Sequence, residues 1–265
     1  MGTGNFLYAA YFAKNGISGL GIIGPGPFIA CMFIRVALEV KYRCKYFTWF
    51  KPKGSRVMTS DDKIVWKSLI PVIANVGTNC LQLAILTIGW KLAKSSGMNQ
   101  GVVTTLLSVA SLTNIAIFYC LFREKVSPLQ FIGVIVMIAA VSCITIAAAS
   151  EKEPEDFDTN DTMGLSKISA ALLAILCGFL GALCMSTKHV FIRKYKANYS
   201  GFDMGLDTCI LEFFAYQFFL IPLYNSEDFT IGWEEIGLGC VAGLFIATGR
   251  IAIAVAVSIG LAGPA

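Results

Sequence analysis

Apolar residues fall into long runs separated by short polar or basic breaks. The central pair of runs lies at 99–122 and 128–149, on either side of a charged break at 123–126. Each run has about 22 residues, and at about 1.5 Å per residue a helix of that length crosses a hydrocarbon core of about 30 Å. Ser127 can cap the second helix and Pro128 suits its first turn, so the pair predicts a membrane helical hairpin.

The remaining runs extend this pattern along the whole chain. Helices are predicted over roughly 4–14, 26–41, 68–90, 99–122, 128–149, 166–187, 206–224 and 235–259. The clearly polar stretch 150–163 carries six acids against one base and contains Pro154, which disfavours a continuous helix. It predicts an acidic linker between two parts of the chain, 1–149 and 164–265.

Composition places the chain in the membrane class. Of its 265 residues, 56% are hydrophobic and 14% are charged, whereas soluble domains carry about 25% charged residues. Together with the long apolar runs, this predicts an all-α, polytopic integral membrane helix bundle whose first partner is the lipid bilayer. The net charge of +4 does not indicate nucleic acid, because the basic residues lie in loops between apolar runs.

The distribution of Lys and Arg predicts the orientation. If the helices alternate from the N-terminus, 14 basic residues fall on the side of the N-terminus and five on the other side. Because cytoplasmic loops are enriched in Lys and Arg, the N-terminus and the 39–68 loop are predicted to be cytoplasmic. The sequence does not indicate which membrane holds the chain.

Two helices from the two parts of the chain show weak similarity to each other. GTNCLQLAILTIG in the third helix is echoed by TGRIAIAVAVSIG in the eighth. If the first unit has five helices, the second unit starts on the opposite side of the membrane, because five is an odd number of crossings. The second unit is then inverted relative to the first. Inverted repeats are a transporter architecture, and chance similarity between apolar helices is the alternative.

Residues 114–141 carry the features of a known family. Glu124 ends a helix and is followed by Ser127, Pro128, Gln130 and Gly133. This segment resembles the end of an EamA-type unit of the drug/metabolite transporter superfamily. The helix pair NFLYAAYFAK and PFIACMFIRVAL, with Arg35, resembles the family's opening, and GLAGPA at the end of the chain resembles the start of its ninth helix.

The resemblance implies ten helices in two inverted five-helix repeats, with a substrate cavity between them. Residues 1–149 would form the first repeat, and 164–265 would form an incomplete second one with helices 6–8 and the start of a ninth. About eight of the ten helices are therefore expected here, and we expect the sequence to be a fragment of a longer protein. A truncated or degenerate relative with a non-transport, membrane-assembly role is the alternative.

Charged and amide side chains inside the apolar runs are the candidates for a functional site, because a charge near the bilayer centre costs at least about 2.5–3.5 kcal/mol. Glu212 is the acid that lies well inside a run, and Arg250 lies within one helical turn of it in predicted depth. We expect a structural ion pair, or a joint contact with a charged solute or a proton. The candidate cavity residues are Arg35, Asn75, Asn79, Gln82, Asn114, Glu212 and Arg250.

Other interpretations of the same residues stay open. Arg35 can reach the headgroups or pack between helices, and the amides can join helices rather than line a cavity. Gly239 and Gly243 fit the small-residue motif of close helix packing. His189 is expected to be solvated at the cytoplasmic end of the sixth helix, after Lys188.

The residue types argue against catalysis. The nine cysteines form no CxxC pair, and the chain has one histidine, so we predict no metal, no cofactor and no catalytic site. Nothing resembles a nucleotide-binding loop, so transport driven by ATP is not indicated. The predicted function is secondary transport of a small-molecule solute, an organic metabolite, by alternating access. A homodimer stays open as the assembly.

Overall fold

The computed structural model of the chain describes residues 2–11, 19–46, 66–123, 127–128, 131–133, 135–136, 139–140, 143, 165–196, 199–221 and 232–259. The elements in these ranges are all helical. The helices are α1 (Gly2–Tyr11), α2 (Leu20–Ile23), α3 (Pro25–Tyr46), α4 (Trp66–Ser95), α5 (Gln100–Leu106), α6 (Val109–Phe122), α7 (Lys167–Tyr195), α8 (Gly201–Phe218) and α9 (Trp233–Ile259). The predicted acidic linker at 150–163, Glu124, Gln130 and the end of the chain from 260 lie outside the described residues.

Five of these helical segments are long and apolar enough to cross a membrane. They are Leu20–Lys45, Leu69–Ser95, Gln100–Phe122, Lys167–Tyr195 and Trp233–Ile259. The all-helical class is therefore confirmed, and the segments are compatible with a multi-pass membrane protein. The count of eight spanning helices and their arrangement as two inverted repeats stay predictions. Within the predicted fifth helix, the described residues from 128 to 143 are helical and exposed.

Two predicted helices differ from the observed ones in a way that affects the site. The sixth helix was predicted to end at 187, but α7 continues to Tyr195. The fourth was predicted to be continuous, but a turn at 107–108 divides it into α5 and α6. There the Leu107 and Ser108 amides bond to carbonyls three residues back, and the Ser108 hydroxyl donates to the Thr105 carbonyl oxygen at 2.6 Å. Such tight bonds end the α-helical ladder locally.

The helices pack as two groups that meet along the centre of the bundle. Helices α4, α5, α6 and α7 pack on one another, and α4 and α7 have the most extensive interface. Helix α9 packs on α1, α2, α3 and α8 to form the second group. The groups are joined where α4 packs on α8 and where α7 packs on α9. Residues that project into this junction therefore come from both groups.

The predicted packing role of the glycine pair on α9 is confirmed. A Cβ atom at Gly239 would collide with the carbonyl oxygen of Ile22, and one at Gly243 with that of Ile23. Both glycines are buried, and α2 lies directly against α9 at these positions. Close backbone approach of this kind is the reason that small residues are favoured where membrane helices pack.

The outer faces of the long helices are apolar, whereas several polar side chains are buried between the helices. Ile29, Phe33, Leu172 and Trp233 are each more than half exposed. The buried polar side chains include amides, a lysine, a histidine, a carboxylate and an arginine. A broad exposed apolar surface indicates a membrane environment, and the buried polar groups then mark the interior as the place to look for a site.

Candidate functional site

A cluster of five polar side chains occupies the junction between the two helix groups. The central polar cluster consists of Asn79 on α4, Lys188 on α7, Glu212 and Tyr216 on α8, and Arg250 on α9. The most exposed member is Arg250, and only 7% of its surface is accessible. Polar groups buried to this degree are costly unless they are hydrogen-bonded to one another.

Glu212 is the hub of the hydrogen bonds in this cluster. Its carboxylate forms an ion pair with the Arg250 guanidinium and accepts a hydrogen bond from the Asn79 amide. The Tyr216 hydroxyl donates to the same carboxylate at 3.2 Å and accepts from Arg250 Nη1 at 3.1 Å. Lys188 Nζ donates to Asn79 Oδ1 at 3.2 Å. One network thus connects four helices.

Local helix geometry explains how these side chains meet. Glu212 and Tyr216 are four residues apart on α8 and therefore share a face. The C-terminal ends of α7 and α9 lie side by side, because Arg193 Nη1 donates to the carbonyl oxygen of Val257 at 3.2 Å. At about 1.5 Å per residue, Lys188 lies about 10 Å from the C-terminal end of α7, and Arg250 lies about 14 Å from the C-terminal end of α9. The cluster is therefore well below the helix ends.

Two small cavities flank the Glu212–Arg250 ion pair, each with room for about one water-sized group. The first, called here the polar cavity, is lined by Asn75, Asn79, Lys188, Thr208 and Arg250, among others. The second, called here the apolar cavity, is lined mainly by hydrophobic residues of α2, α4, α8 and α9, together with the ion pair. The ion pair is therefore part of the walls of the apolar cavity, and Arg250 reaches both.

Three buried polar atoms around the polar cavity have no hydrogen-bond partner among the described residues. They are Arg250 Nε, Thr208 Oγ1 and Asn75 Oδ1. Burial of an unsatisfied polar atom costs about 1–3 kcal/mol, so such atoms are rare in folded proteins unless water or a ligand contacts them. All three belong to residues that line the polar cavity, so water or another polar group is expected there.

Four of the seven candidate residues predicted from the sequence meet at this site. Asn75 and Asn79 line the polar cavity with Arg250, and Glu212 lies next to them. Gln82 is buried on α4 but lines neither of the two cavities described. Whether any of these residues contacts a solute stays a prediction.

Asn114 lies in a different buried contact, with the histidine of α7. Asn114 Nδ2 is 2.7 Å from His189 Nδ1, and each side chain is at most 2% exposed. The prediction that His189 is solvated is therefore wrong. Its physical reason is the length of α7, which continues past this position to Tyr195 and keeps the ring between α6 and α7.

Arg35 belongs to a third cluster, near the start of α8. Its guanidinium pairs with Asp203 at 3.1 Å and also with Asp207. Tyr199, in the segment before α8, donates its hydroxyl to Asp207. Burial, and secondly the neighbouring Asp207 carboxylate, raise the pKa of the Tyr199 phenol, so it stays protonated and able to donate. Arg35 therefore joins α3 to α8 away from the two cavities.

Sequence reasoning missed Lys188, Tyr216 and Thr208 as site residues. Lys188 was assigned to the membrane surface because a basic segment follows it. The apolar residues at 190–192 are the signal that could have corrected this, because they continue the helix by another turn. Tyr216 and Thr208 are common in membrane helices, and only the packing of α8 against its neighbours distinguishes them.

No family model, no curated protein and no solved structure matches this chain. What the fold and the site define is an all-helical chain, compatible with a multi-pass membrane protein, that holds a polar cluster between small cavities in its interior. The similarity to the drug/metabolite transporter superfamily therefore depends on the sequence motifs alone.

Proposed function

We propose that the chain is a secondary transporter that carries a small organic metabolite across a membrane by alternating access. The observation that carries this proposal is the central polar cluster with its flanking cavities. Ionisable residues inside membrane helices are costly and are characteristic of solute or ion pathways. Transporters place such sites deep in the bundle, where groups of helices meet. The cluster contains side chains from both helix groups, and this is the geometry that a rocking motion between the groups requires.

Hydrogen-bonded layers on either side of the cluster support this proposal. Toward one end, Arg35 bonds α3 to the start of α8. Toward the other end, the Tyr8 hydroxyl lies 2.8 Å from Thr87 Oγ1, and Trp90 Nε1 donates to Thr104 Oγ1 at 3.0 Å. The Tyr8–Thr87 contact joins α1 to α4, so it crosses between the two helix groups and would have to break for them to separate. The Arg35 and Trp90 contacts each lie within one group, and they would keep that group rigid during such a motion.

One observation favours a second candidate, a role in membrane assembly. The described residues between 128 and 143 are exposed, and a Cβ added at Gly133 would meet no atom within 4 Å. A helix face without packing partners suits contact with another chain, including a second copy of this one. Cross-linking this segment in native membranes, with identification of the captured chain, tests this candidate: a different protein captured there supports it, and no cross-linked product counts against it.

Reconstitution into lipid vesicles tests the transport proposal. Purified chain would be incorporated into vesicles, a panel of small metabolites added outside, and the trapped solutes measured by mass spectrometry. We expect at least one solute to enter faster than in protein-free vesicles. Glu212→Gln is expected to slow that uptake or change its dependence on pH, whereas Glu234→Gln, an exposed carboxylate on α9, leaves it unchanged. Uptake equal to that of protein-free vesicles for the whole panel would overturn the proposal.

If uptake occurs but is the same in Glu212→Gln at every pH, the ion pair is structural. That outcome keeps the transport proposal and removes Glu212 from the pathway. It would confirm the alternative interpretation that the sequence left open for this pair.

A further inference from the structure

We infer that the transported solute is a small organic anion, whose carboxylate or phosphate group binds between Lys188 and Arg250 in the polar cavity. This inference rests on the proposed transport function and adds the chemical class of the solute. Three features of the cavity support it: the balance of charge, the hydrogen-bond donors that are still available, and the engagement of the one carboxylate in the cluster.

The charges of the central polar cluster do not balance. It contains two basic groups, Lys188 and Arg250, and one carboxylate, Glu212. Arg250 is paired with that carboxylate, whereas the hydrogen-bond acceptor of Lys188 is the neutral amide oxygen of Asn79. A buried ammonium without a counter-charge is costly, because burial removes its hydration. An anion in the adjoining cavity would supply the missing negative charge.

Hydrogen-bond donors with spare capacity surround the same space. Arg250 Nε and the Thr208 hydroxyl are buried without a partner among the described residues, and both residues line the polar cavity. Lys188 has three ammonium hydrogens, and its bond to Asn79 uses one of them. Donors from three residues that line one cavity, two of them basic, are suited to a carboxylate or phosphate group.

Asn75 is compatible with the same occupant. Its Oδ1 atom is also buried without a partner among the described residues, and Asn75 lines the polar cavity. The oxygen and nitrogen of an asparagine amide are assigned from their hydrogen bonds, and rotation of the amide by half a turn exchanges them. Asn75 can therefore donate to the anion, or accept from a hydroxyl group of the solute.

The alternative occupants fit the site less well. A cationic solute would need a carboxylate that is free to bind it, but Glu212 already accepts hydrogen bonds from Asn79, Tyr216 and Arg250. A neutral solute would be compatible with Lys188 only as a neutral amine, whereas an anion would favour its charged ammonium form. In this conformation the polar cavity has room for about one water-sized group, so the helix groups would have to separate for a solute to enter.

A matched set of probes tests the sign of the charge directly. Succinate, 1,4-butanediol and 1,4-diaminobutane share a four-carbon chain and differ in bearing carboxylates, hydroxyls or ammonium groups. Glycerol 3-phosphate and glycerol form a second pair, which tests phosphate. The melting temperature of the full chain in detergent would be measured against each probe concentration. We expect the anions, and neither the diol, the diamine nor glycerol, to raise it saturably, because a ligand that binds the native state stabilises it.

Variants of Lys188 show whether the stabilisation comes from this cavity. In Lys188→Gln the apparent affinity for the stabilising anion is expected to fall at least tenfold, whereas Lys188→Arg keeps most of it. Lys194→Gln is the control, because this exposed lysine lies near the end of the same helix. If Lys188→Gln does not fold, the order of the five probes on the unmodified chain still decides. Absence of any shift with either anion, a larger shift with the diamine, or equal affinity in Lys188→Gln would each overturn the inference.

Uptake of the same probes into vesicles separates this inference from the proposed function. Stabilisation by an anion without uptake of any solute would keep the anion site and overturn the transport proposal. Uptake of the diamine or of a neutral probe, without uptake or binding of either anion, would keep the transport proposal and overturn the anion site.

Discussion

Replacing Glu212 by glutamine tests the physical core of the site. The substitution keeps the shape of the side chain and removes its charge. Arg250, at 7% exposure, then stays buried opposite a neutral amide, and one of its hydrogen bonds is lost. Removal of one partner of a buried ion pair costs about 3–5 kcal/mol, because the remaining charge is uncompensated. The Asn79 amide can still donate to the glutamine oxygen, so we expect the lower end of that range.

Thermal unfolding in detergent would measure this effect. For chains of about 150–250 residues, 1 kcal/mol corresponds to about 2–4 °C in melting temperature, so we expect a decrease of at least about 6 °C. Glu234→Gln makes the same chemical change at an exposed position and should have little effect.

The double variant Glu212→Gln/Arg250→Gln gives the sharper test. It removes both charges, so its loss of stability should be clearly smaller than the sum of the two single losses. A Glu212→Gln protein that melts at the temperature of the unmodified chain would refute the reasoning. It would mean that the ion pair contributes nothing to the packing of α8 against α9.

Three further substitutions test the packing around the site. Gly243→Ala should lower the melting temperature, because the new methyl group collides with a backbone carbonyl oxygen of α2. Gly237→Ala is the control on the same helix: its methyl group meets no atom within 4 Å, so its effect on stability should be neutral or slightly favourable. Arg35→Gln should lower the free energy of unfolding by about 1–3 kcal/mol, because the partly buried guanidinium loses its contacts with Asp203 and Asp207. High salt screens these contacts, so it should reduce the difference in melting temperature between this variant and the unmodified chain. Tyr8→Phe should cost about 1 kcal/mol through loss of the bond to Thr87, and an unchanged melting curve would contradict that bond.

The sequence was sufficient to identify the helical class and part of the site, for a physical reason. In an apolar run, a charge or an amide contrasts with its neighbours and is too costly to lie in lipid, so Asn79, Glu212 and Arg250 could be selected without a structure. The matching depths of Glu212 and Arg250 also predicted that they could meet, and the ion pair lies where those depths place it.

The remaining site residues could not be selected in this way. Lys188 and His189 lie in a basic segment, where charge normally marks the membrane surface, and only the short apolar run at 190–192 indicates that the helix continues. Sequence spacing gives the depth of a side chain but not which helices are neighbours, because partners on other helices are brought together only by tertiary packing. For this reason the sequence could not show that Arg35 and Asn114 lie apart from the central polar cluster.

Helix α8 shows how tertiary partners can replace hydrophobicity. The described helix, Gly201–Phe218, is not among the five segments that are apolar enough to cross a membrane, because its 18 residues contain Asp203, Asp207 and Glu212. The predicted span over 206–224 extends beyond the described residues and stays a prediction. Each of these carboxylates bonds to an arginine from another helix, Arg35 or Arg250. Each of these charges therefore has a compensating charge from the protein. Such a helix is stable inside the bundle only while α3 and α9 remain packed against it, so the acids that lower its hydropathy also fix its position beside the cavities.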